Sequence, residues 1–184
     1  MPKSIAFVRR PGPSYNRAIS ANPKDQPIDL KRACLQHEHY IAALEKTGVE
    51  IVSLPAIHGY PDAPFVEDTT VVFDHLALAC PNKEKSRRGE GASIHKEIKK
   101  YRTIKTLPPS VTLDGGDVLN TDEKIFVGIS SRTNLEAVNA LAKFTKKPVI
   151  PIKILRGLHL KTSVSYLGND ILVLDPSSLD TRPL

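Results

Sequence analysis

The sequence is poor in cysteine and in aromatic residues, and it contains no tryptophan. Its 184 residues include two cysteines, five Phe and five Tyr. The two cysteines, Cys34 and Cys80, provide neither a disulfide framework nor a paired metal-binding motif. The formal net charge is +6, but the basic residues lie in short patches interleaved with Glu, and no aromatic platform for stacking bases accompanies them. The composition therefore argues against a nucleic-acid partner.

Long apolar runs are also lacking. No run approaches the roughly 18 residues that a membrane-spanning helix needs. The first residues, MPKSIAFVRRPG, have a short apolar run and no small-residue cleavage site for a signal peptide. These absences predict a cytoplasmic protein without a membrane partner. The length and the 40% hydrophobic content predict one globular domain over residues 1–184.

The apolar pattern predicts alternating strands and helices, an α/β fold. Helices are predicted over residues 29–46, 86–100 and 133–145, and the proline-rich segment 10–27 is predicted to be a long loop. In the first helix one apolar stripe is predicted to be buried: Leu30, Cys34, His37, Ile41 and Leu44. The second helix is predicted to start at an N-cap, Ser86. The third is predicted to bury Leu135, Val138, Leu141, Ala142 and Thr145.

Three predicted hairpins share one arrangement of flanking residues. The first two are preceded by acidic turns ending in Asp68 and Asp117, and each is followed by a helix opened by an arginine, Arg87 or Arg132. The arginines lie about 45 residues apart, a spacing typical of a ring or propeller of supersecondary modules. A third helix is expected near residues 177–178, where the chain instead reaches its end. The repeat therefore predicts either a propeller incomplete at its C-terminus or a short form that closes by oligomerisation.

Residues at equivalent positions of such modules are expected to converge, which would bring five carboxylates close to one histidine and one lysine. The set consists of Asp62, Glu67, Asp68, Asp114, Asp117, His159 and Lys161. An acidic pocket suits a guanidinium group, which carboxylates bind bidentately. Arg87 and Arg132 would hold a substrate carboxylate, and His159, oriented by Asp114, would act as general acid and base. Each feature also has a structural explanation: an Asp-Gly-Gly-Asp turn, arginines that pair with these carboxylates, and a structural histidine.

Five motifs occur in a fixed order: FVED at residues 65–68, SRRGE at 86–90, TLDGGDVL at 112–119, SRTN at 131–134 and LHLK at 158–161. Together they resemble the dimethylarginine dimethylaminohydrolases, in the superfamily of arginine deiminases and amidinotransferases. The resemblance covers nearly the whole chain. It implies the pentein fold, an α/β propeller of five hairpin-helix-strand modules. It also implies hydrolysis of methylated arginine to citrulline through a cysteine thiolate, without a metal or cofactor.

The resemblance also implies roles for individual residues of this chain. His159 corresponds to the proton donor and Asp114 to the carboxylate that orients it. The guanidinium would be bound by Asp68, with Asp62, Phe65 and Glu67 beside it. Arg87 and Arg132 would hold the substrate's α-carboxylate, and Tyr15 would fall near a lid. A small-molecule substrate is thus the expected partner, and a homodimer stays open.

One element of the family pattern is missing, because the nucleophilic cysteine near the family's C-terminus has no counterpart here. Cys34 lies on the stripe of the first helix and Cys80 ends the first hairpin, so neither matches it. Three hypotheses remain: a truncated dimethylarginine dimethylaminohydrolase-like enzyme, a non-catalytic or degenerate binder of arginine analogues, and an arginine deiminase-like enzyme.

Overall fold

The computed structural model describes residues 4–20 and 27–184. These residues form two compact units, one from Met1–Val66 with Gly89–Lys100 and the other from Glu67–Arg88 with Tyr101–Leu184. The single domain predicted for residues 1–184 stays a prediction. No helix in the described ranges is long and apolar enough to cross a membrane.

The first unit contains a parallel pair of strands, β1 (Ile5–Arg9) and β2 (Glu50–Leu54), joined in sequence by helix α1 (Leu30–Lys46). Asp29 caps α1, since its side chain accepts a hydrogen bond from the backbone N–H of Arg32 at 3.0 Å. The predicted spacing of the apolar stripe is confirmed, because all five of its residues are less exposed than most other residues of the helix. The prediction that Cys34 and His37 are core residues is wrong, since α1 has no buried residue.

The predicted loop 10–27 contains a short 3-10 helix, Pro13–Arg17, and residues 21–26 lie outside the described residues. Helix α2 (Gly91–Ile98) starts later than predicted, so Ser86 is not its N-cap. Ser86 lies instead in a separate 3-10 helix, Lys85–Arg87. Gly89 follows with φ +110°, a conformation that interrupts a helix and favours glycine.

The second unit repeats one pattern of strand pairing. Strands β3 (Thr70–Val72) and β4 (Leu76–Ala79) form a hairpin, and β5 (Thr103–Thr106) pairs parallel to β4. Strands β6 (Val118–Asn120) and β7 (Ile125–Ile129) form the next, and β8 (Val149–Lys153) pairs parallel to β7. A helix precedes each parallel strand in sequence, α2 before β5 and α3 (Leu135–Leu141) before β8. The hairpin-helix-strand repeat predicted from the sequence is therefore confirmed.

Two hydrophobic clusters hold the second unit together. The larger joins the first two hairpins to α3, and its fully buried members include Leu78, Leu113, Ile125, Val127 and Leu141. Burying one such side chain contributes roughly 1.5–3 kcal/mol. The smaller cluster, around Ile152 and Leu160, packs the third hairpin against β8 and β6.

The prediction for helix α3 is confirmed for Val138 and Leu141, which are buried, and is wrong for Leu135 and Ala142, which are exposed. Leu135 is 56% exposed, whereas Ala137, Val138, Ala140 and Leu141 are buried. The helix is shorter than predicted and turns into a 3-10 helix at Ala142–Phe144, where Ala142 is exposed. Small side chains at 137 and 140 let the helix lie close to its strands, a role that hydrophobicity alone does not reveal.

The third hairpin, β9 (Val164–Tyr166) and β10 (Leu172–Leu174), has no third strand among the described residues. The helix expected near residues 177–178 is absent from the described structure, where Asp175 accepts hydrogen bonds from both serines. Leu179 instead forms an isolated bridge with Ile154. Leu167, Ile171 and Val173 are more than half exposed on this hairpin.

Candidate active site

Six charged or titratable side chains of the second unit meet at the ends of its hairpins. The acidic residues and the histidine precede the first strand of a hairpin, and the arginines follow the second strand. All six are buried, with relative exposures of 0–7%: Asp68, Arg87, Asp114, Asp117, Arg132 and His159. We call this set the charged cluster. Charges at this depth must be paired or hydrogen-bonded, because desolvation is otherwise costly.

Asp68 is held on both carboxylate oxygens. Its Oδ2 accepts from Arg87 Nη1 at 2.5 Å, and its Oδ1 accepts from the backbone N–H of Gly116 at 3.0 Å. Asn82 donates to the carbonyl of Asp68 at 2.9 Å. Arg87 therefore pairs with a carboxylate, as the structural explanation of this arginine anticipated.

Asp114 is fully buried and incompletely satisfied. Its Oδ1 accepts from Asn82 Nδ2 at 2.7 Å. Its Oδ2 has no hydrogen-bond partner in the described part of the chain and lies 3.7 Å from Arg132 Nη1. Burial raises the pKa of Asp114, an effect that the hydrogen bond from Asn82 opposes and the charge of Asp68 reinforces. Asp114 thus keeps one buried oxygen that can accept a ligand's hydrogen bond.

His159 lies among three carboxylates. Its Nδ1 is 3.4 Å from Asp117 Oδ2, and its Nε2 is 3.8 Å from both Asp68 Oδ1 and Asp114 Oδ2. Burial lowers the pKa of His159, but the hydrogen bond to Asp117 and the surrounding carboxylate charges outweigh it, so the net pKa is raised. Nε2 makes no hydrogen bond to any residue that the structure describes. That atom is available to exchange a proton with a ligand.

The predicted orientation of His159 by Asp114 stays a prediction, and Asp117 is the carboxylate nearest to Nδ1. Asp117 accepts hydrogen bonds from the hydroxyls of Ser130 and Thr133 at 2.7 and 2.6 Å. It also accepts from the backbone N–H of Leu160 at 2.9 Å. Four groups from two further segments therefore meet at this one side chain.

The glycine pair between Asp114 and Asp117 is required by close approach rather than by a positive φ. A Cβ on Gly115 would lie 2.1 Å from the carbonyl oxygen of Glu67. A Cβ on Gly116 would lie 2.6 Å from Asp68 Oδ1 and 2.9 Å from Cδ2 of the His159 ring. The Asp-Gly-Gly-Asp motif is therefore more than a turn, because its missing side chains make room for the cluster.

Glu67 and Lys161 pair at the edge of the cluster. Their side-chain atoms lie 2.6 Å apart, and the Glu67 side chain is 64% exposed. The carboxylate predicted to bind substrate is thus solvent-accessible and already partnered by a lysine.

Two predicted site residues, Asp62 and Phe65, belong to the first unit. Asp62 is buried and its Oδ1 accepts from the backbone N–H of Ile19 at 3.0 Å. Phe65 is 47% exposed, and its ring centroid lies 6.2 Å from that of Tyr15, the predicted lid residue. Burial and the charge of Asp62 raise the pKa of Tyr15. The three residues thus form one local group.

The surroundings of Cys80 disfavour its activation for nucleophilic attack. Cys80 packs against the larger hydrophobic cluster, and burial raises its pKa, an effect that Asp114 and Asp68 reinforce. A buried thiol with a raised pKa carries little of the reactive thiolate. Cys34 lies half-buried on α1, where its Sγ is 3.7 Å from the carbonyl of Pro11.

Among the described residues, ligand atoms of Asp68, Asp114 and His159 lie within 4.8 Å of one another, close enough to hold a metal ion. Arg87 and Arg132 contribute two positive charges beside these carboxylates. A ligand with its own charged groups could pair with both the carboxylates and the arginines, and would therefore suit the cluster better than a bare cation. The predicted absence of a metal stays a prediction.

Sequence reasoning did not single out Asn82, Ser130 or Thr133. Asn82 bonds to both Asp68 and Asp114, and the two hydroxyls bond to Asp117. A signal was present in their positions, since each lies between the second strand of a hairpin and the next helix, within five residues of the arginine that was selected.

Comparison with known proteins identifies the family. The family described as N,N dimethylarginine dimethylhydrolase, eukaryotic, matches residues 2–182. An N(G),N(G)-dimethylarginine dimethylaminohydrolase of Streptomyces coelicolor is 32% identical over 177 residues, which cover 94% of this chain and 69% of that protein. The chain spans about two thirds of the length of the curated relatives it matches first.

Solved structures agree with this assignment. A dimethylarginine dimethylaminohydrolase from Pseudomonas aeruginosa, a cysteine-to-serine mutant complexed with citrulline, aligns with TM-score 0.88 and 26% identity over 94% of this chain and 69% of that one. A histidine-to-glycine mutant enzyme of the same name, as an adduct with S-methyl-L-thiocitrulline, aligns with TM-score 0.86 and 27% identity over 95% of this chain and 70% of that one. The pentein-type fold expected from the motifs is confirmed. The chain belongs to the dimethylarginine dimethylaminohydrolase family, whose members are hydrolases acting on the C–N bonds of guanidino groups.

Proposed function

We propose that this chain supplies the substrate-binding and acid–base part of an enzyme that converts N-methylated arginines to citrulline and methylamines. The observation that carries the proposal is the geometry around His159 Nε2. This nitrogen and Asp114 Oδ2 are buried without hydrogen-bond partners among residues 4–20 and 27–184, and Asp68 Oδ1 lies 3.8 Å from the nitrogen. A guanidinium placed among these atoms would satisfy both oxygens by donating N–H bonds to them.

The proposed reaction has two stages. A cysteine thiolate attacks the guanidinium carbon, and the C–N bond to the methylamine breaks as His159 Nε2 gives its proton to the departing nitrogen. Water then attacks the resulting thiouronium carbon while His159 accepts a proton. The C–S bond breaks, which gives citrulline and regenerates the thiolate. We propose that this cysteine lies outside the 184 residues, because the surroundings of Cys80 raise its pKa.

Substrate selection would depend on the two arginines. Arg132 lies 3.7 Å from Asp114 and 3.6 Å from the exposed Glu84, distances longer than good hydrogen bonds. A substrate α-carboxylate can therefore displace these contacts at small cost. Arg87 already forms a short bond with Asp68, so in this proposal it mainly holds the Asp68 carboxylate in place.

The solved relatives support this assignment. One holds citrulline, the product proposed here. Another is an adduct with S-methyl-L-thiocitrulline, whose amidino carbon corresponds to the guanidinium carbon of the proposed substrate. This chain covers 69% and 70% of the length of these two solved relatives. A cytoplasmic location and a homodimer stay predictions.

Calorimetric titration with asymmetric dimethylarginine, combined with a citrulline assay, tests the proposal. We expect the 184-residue chain to bind the ligand without turnover, and a protein that continues the same reading frame through a further cysteine to release citrulline. Asp68→Asn should abolish binding, whereas Asp122→Asn, a control at an exposed carboxylate, should not. Failure of both proteins to bind any arginine analogue would refute the proposal.

A non-catalytic binder of arginine analogues is the second candidate, favoured by the raised pKa of Cys80. The same experiment separates the two functions, because a binder releases no citrulline even when the reading frame is extended. Comparing kcat/KM for dimethylarginine with that for free arginine then distinguishes a dimethylarginine hydrolase from an arginine deiminase-like enzyme.

A further inference from the structure

Asp117 is fully buried, and the hydrogen bonds around it have a fixed direction. The Ser130 hydroxyl oxygen accepts from the backbone N–H groups of Arg132 and Thr133 at 3.0 and 3.2 Å. The Thr133 hydroxyl oxygen accepts from the backbone N–H of Asp114 at 3.2 Å. The one proton of each hydroxyl is therefore left to donate, and both donate to Asp117 Oδ2.

The directions of these hydrogen bonds determine whether the fourth neighbour of Asp117, His159 Nδ1, is a donor or an acceptor. The backbone N–H of Leu160 donates to Oδ1, so Asp117 accepts from every other group that it bonds. A ring nitrogen beside such an acceptor carries the proton. Nδ1 of His159, 3.4 Å from Oδ2, is then the protonated nitrogen of the neutral ring, and Nε2 has the free lone pair.

We infer that Asp117 is the positioning residue of His159, and that it keeps the proton on Nδ1 so that Nε2 is the atom that exchanges protons with substrate. The inference rests on the proposed function for what Nε2 does, but not for the tautomer itself. Asp117 also fixes the backbone beside the ring, because the Leu160 N–H that it binds belongs to the residue after His159.

Asp114 has a different place in this arrangement. It lies 3.8 Å from Nε2, on the side of the ring where the ligand is proposed to bind, as does Asp68. The charged groups that face the ring are thus Asp117 at Nδ1, and Asp68 and Asp114 at Nε2. Arg87 pairs with Asp68, and Arg132 lies 3.7 Å from Asp114. Asp114 and Asp68 would contact the substrate, whereas Asp117 would act through the histidine.

Asp117 also connects the histidine to the segment that carries Arg132. Ser130 and Thr133, which flank this arginine, both donate to the same oxygen that faces Nδ1. One carboxylate therefore sets the position of the acid–base ring and of the loop proposed to bind the substrate carboxylate. Such shared partners hold a site in its productive geometry.

Nitrogen NMR of the ring in the 184-residue chain tests the inference without requiring catalysis. The six histidines are assigned by single substitution, and the neutral form of His159 is examined at high pH. We expect the wild-type neutral ring to be protonated on Nδ1. A neutral His159 protonated on Nε2 in the folded wild-type chain would overturn the inference, and this measurement needs no variant.

Asp117→Asn provides the second arm. The amide removes the negative charge beside Nδ1 and can no longer accept hydrogen bonds at both terminal atoms. The titration midpoint of His159 should therefore fall, and the neutral ring should carry the proton on Nε2 more often than in the wild type. Asp114→Asn and Asp122→Asn are controls that should leave the proton on Nδ1. An unchanged tautomer and midpoint in folded Asp117→Asn would contradict the inference. If that variant does not fold, Ser130→Ala, which removes one donor to Asp117, should shift the His159 resonances more than Ser165→Ala does.

An enzyme assay on the protein with its continued reading frame adds a third measurement. Loss of correct acid–base catalysis is worth on the order of 10²–10⁴-fold, and we expect Asp117→Asn to lower kcat within that range with little change in KM. A fall in kcat accompanied by a rise in KM of similar size would indicate a structural role only. If no protein turns over dimethylarginine, the proposed function fails while the tautomer result stands alone.

Discussion

The ring of His159 lies directly against the backbone of Gly116. A Cβ added to this glycine would be 2.9 Å from Cδ2 and 3.0 Å from Cγ of the ring, closer than real Cβ atoms come to their neighbours. The same glycine donates its N–H to Asp68 at 3.0 Å. The histidine therefore owes its place among the carboxylates to a missing side chain in another module of the chain.

Gly116→Ala should displace His159 and lower stability. Overpacking a filled site costs roughly 1–3 kcal/mol, which we expect as the loss in unfolding free energy in urea. The His159 resonances should move as well. Gly12→Ala is the matched control, since its Cβ would meet only Ala56 at 3.3 Å and the Ile57 carbonyl at 3.6 Å. Equal losses in the two variants would contradict this account.

Arg87→Ala should be among the most destabilising single changes in the second unit. Arg87 and Asp68 are both buried and bonded at 2.5 Å, so removing the arginine leaves an uncompensated charge in the interior. Breaking a buried pair from one side costs about 3–5 kcal/mol. Arg10→Ala, which breaks an exposed pair with Glu38, should change the unfolding free energy by no more than about 1 kcal/mol.

His159 should make stability depend on pH. Its folded pKa is raised above the ordinary value of 6.5, so its protonated form is favoured in the folded state. That stabilisation is fully present below the unfolded pKa and is lost as pH rises through the folded pKa. The loss of unfolding free energy in His159→Gln should therefore shrink on moving from pH about 5.5 to pH about 9. Gln36→Ala, at an exposed and non-titrating position of α1, is the control.

Asp114→Asn should stabilise the chain at neutral pH. Burial raises the folded pKa of Asp114, so its ionised form is disfavoured in the folded state. The resulting cost begins as pH rises above the unfolded pKa and is complete once pH exceeds the folded pKa. The neutral amide keeps an acceptor for Asn82 and avoids the cost. Urea unfolding at pH 7 should show a higher free energy than wild type, and the gain should vanish towards pH about 3. A loss of stability at pH 7 would show that the attraction to Arg132 outweighs burial.

The modules were predictable from sequence because their signals are local. The first two hairpins are each preceded by an acidic turn and followed by an arginine, at a similar spacing. The residues at the ends of these hairpins could therefore be expected to meet. The structure brings Asp68, Asp114, His159 and both arginines together in one buried cluster. Their individual roles stay proposals.

Details that depend on packing could not be read from the chain. The burial of Ala137 and Ala140 in place of Leu135 follows from how closely α3 approaches its strands. Asp117 was grouped with the acidic turn, because a sequence does not show which of two nearby carboxylates faces Nδ1. The start of α2 at Gly91 was missed because the positive φ of Gly89, which interrupts the helix, cannot be read from the residue types.

The two cysteines should differ sharply in reactivity, and this bears on where the nucleophile lies. Burial and the neighbouring carboxylates of Asp114 and Asp68 raise the pKa of Cys80, because they disfavour its negatively charged thiolate. Little of the reactive thiolate therefore forms. We expect iodoacetamide at pH about 8 to modify native Cys34 faster than Cys80, with both reacting in urea. Cys34→Ser and Cys80→Ser assign the two rates by mass spectrometry. Rapid labelling of Cys80 that dimethylarginine protects against would instead make Cys80 the nucleophile, and would remove the need for a cysteine outside these residues.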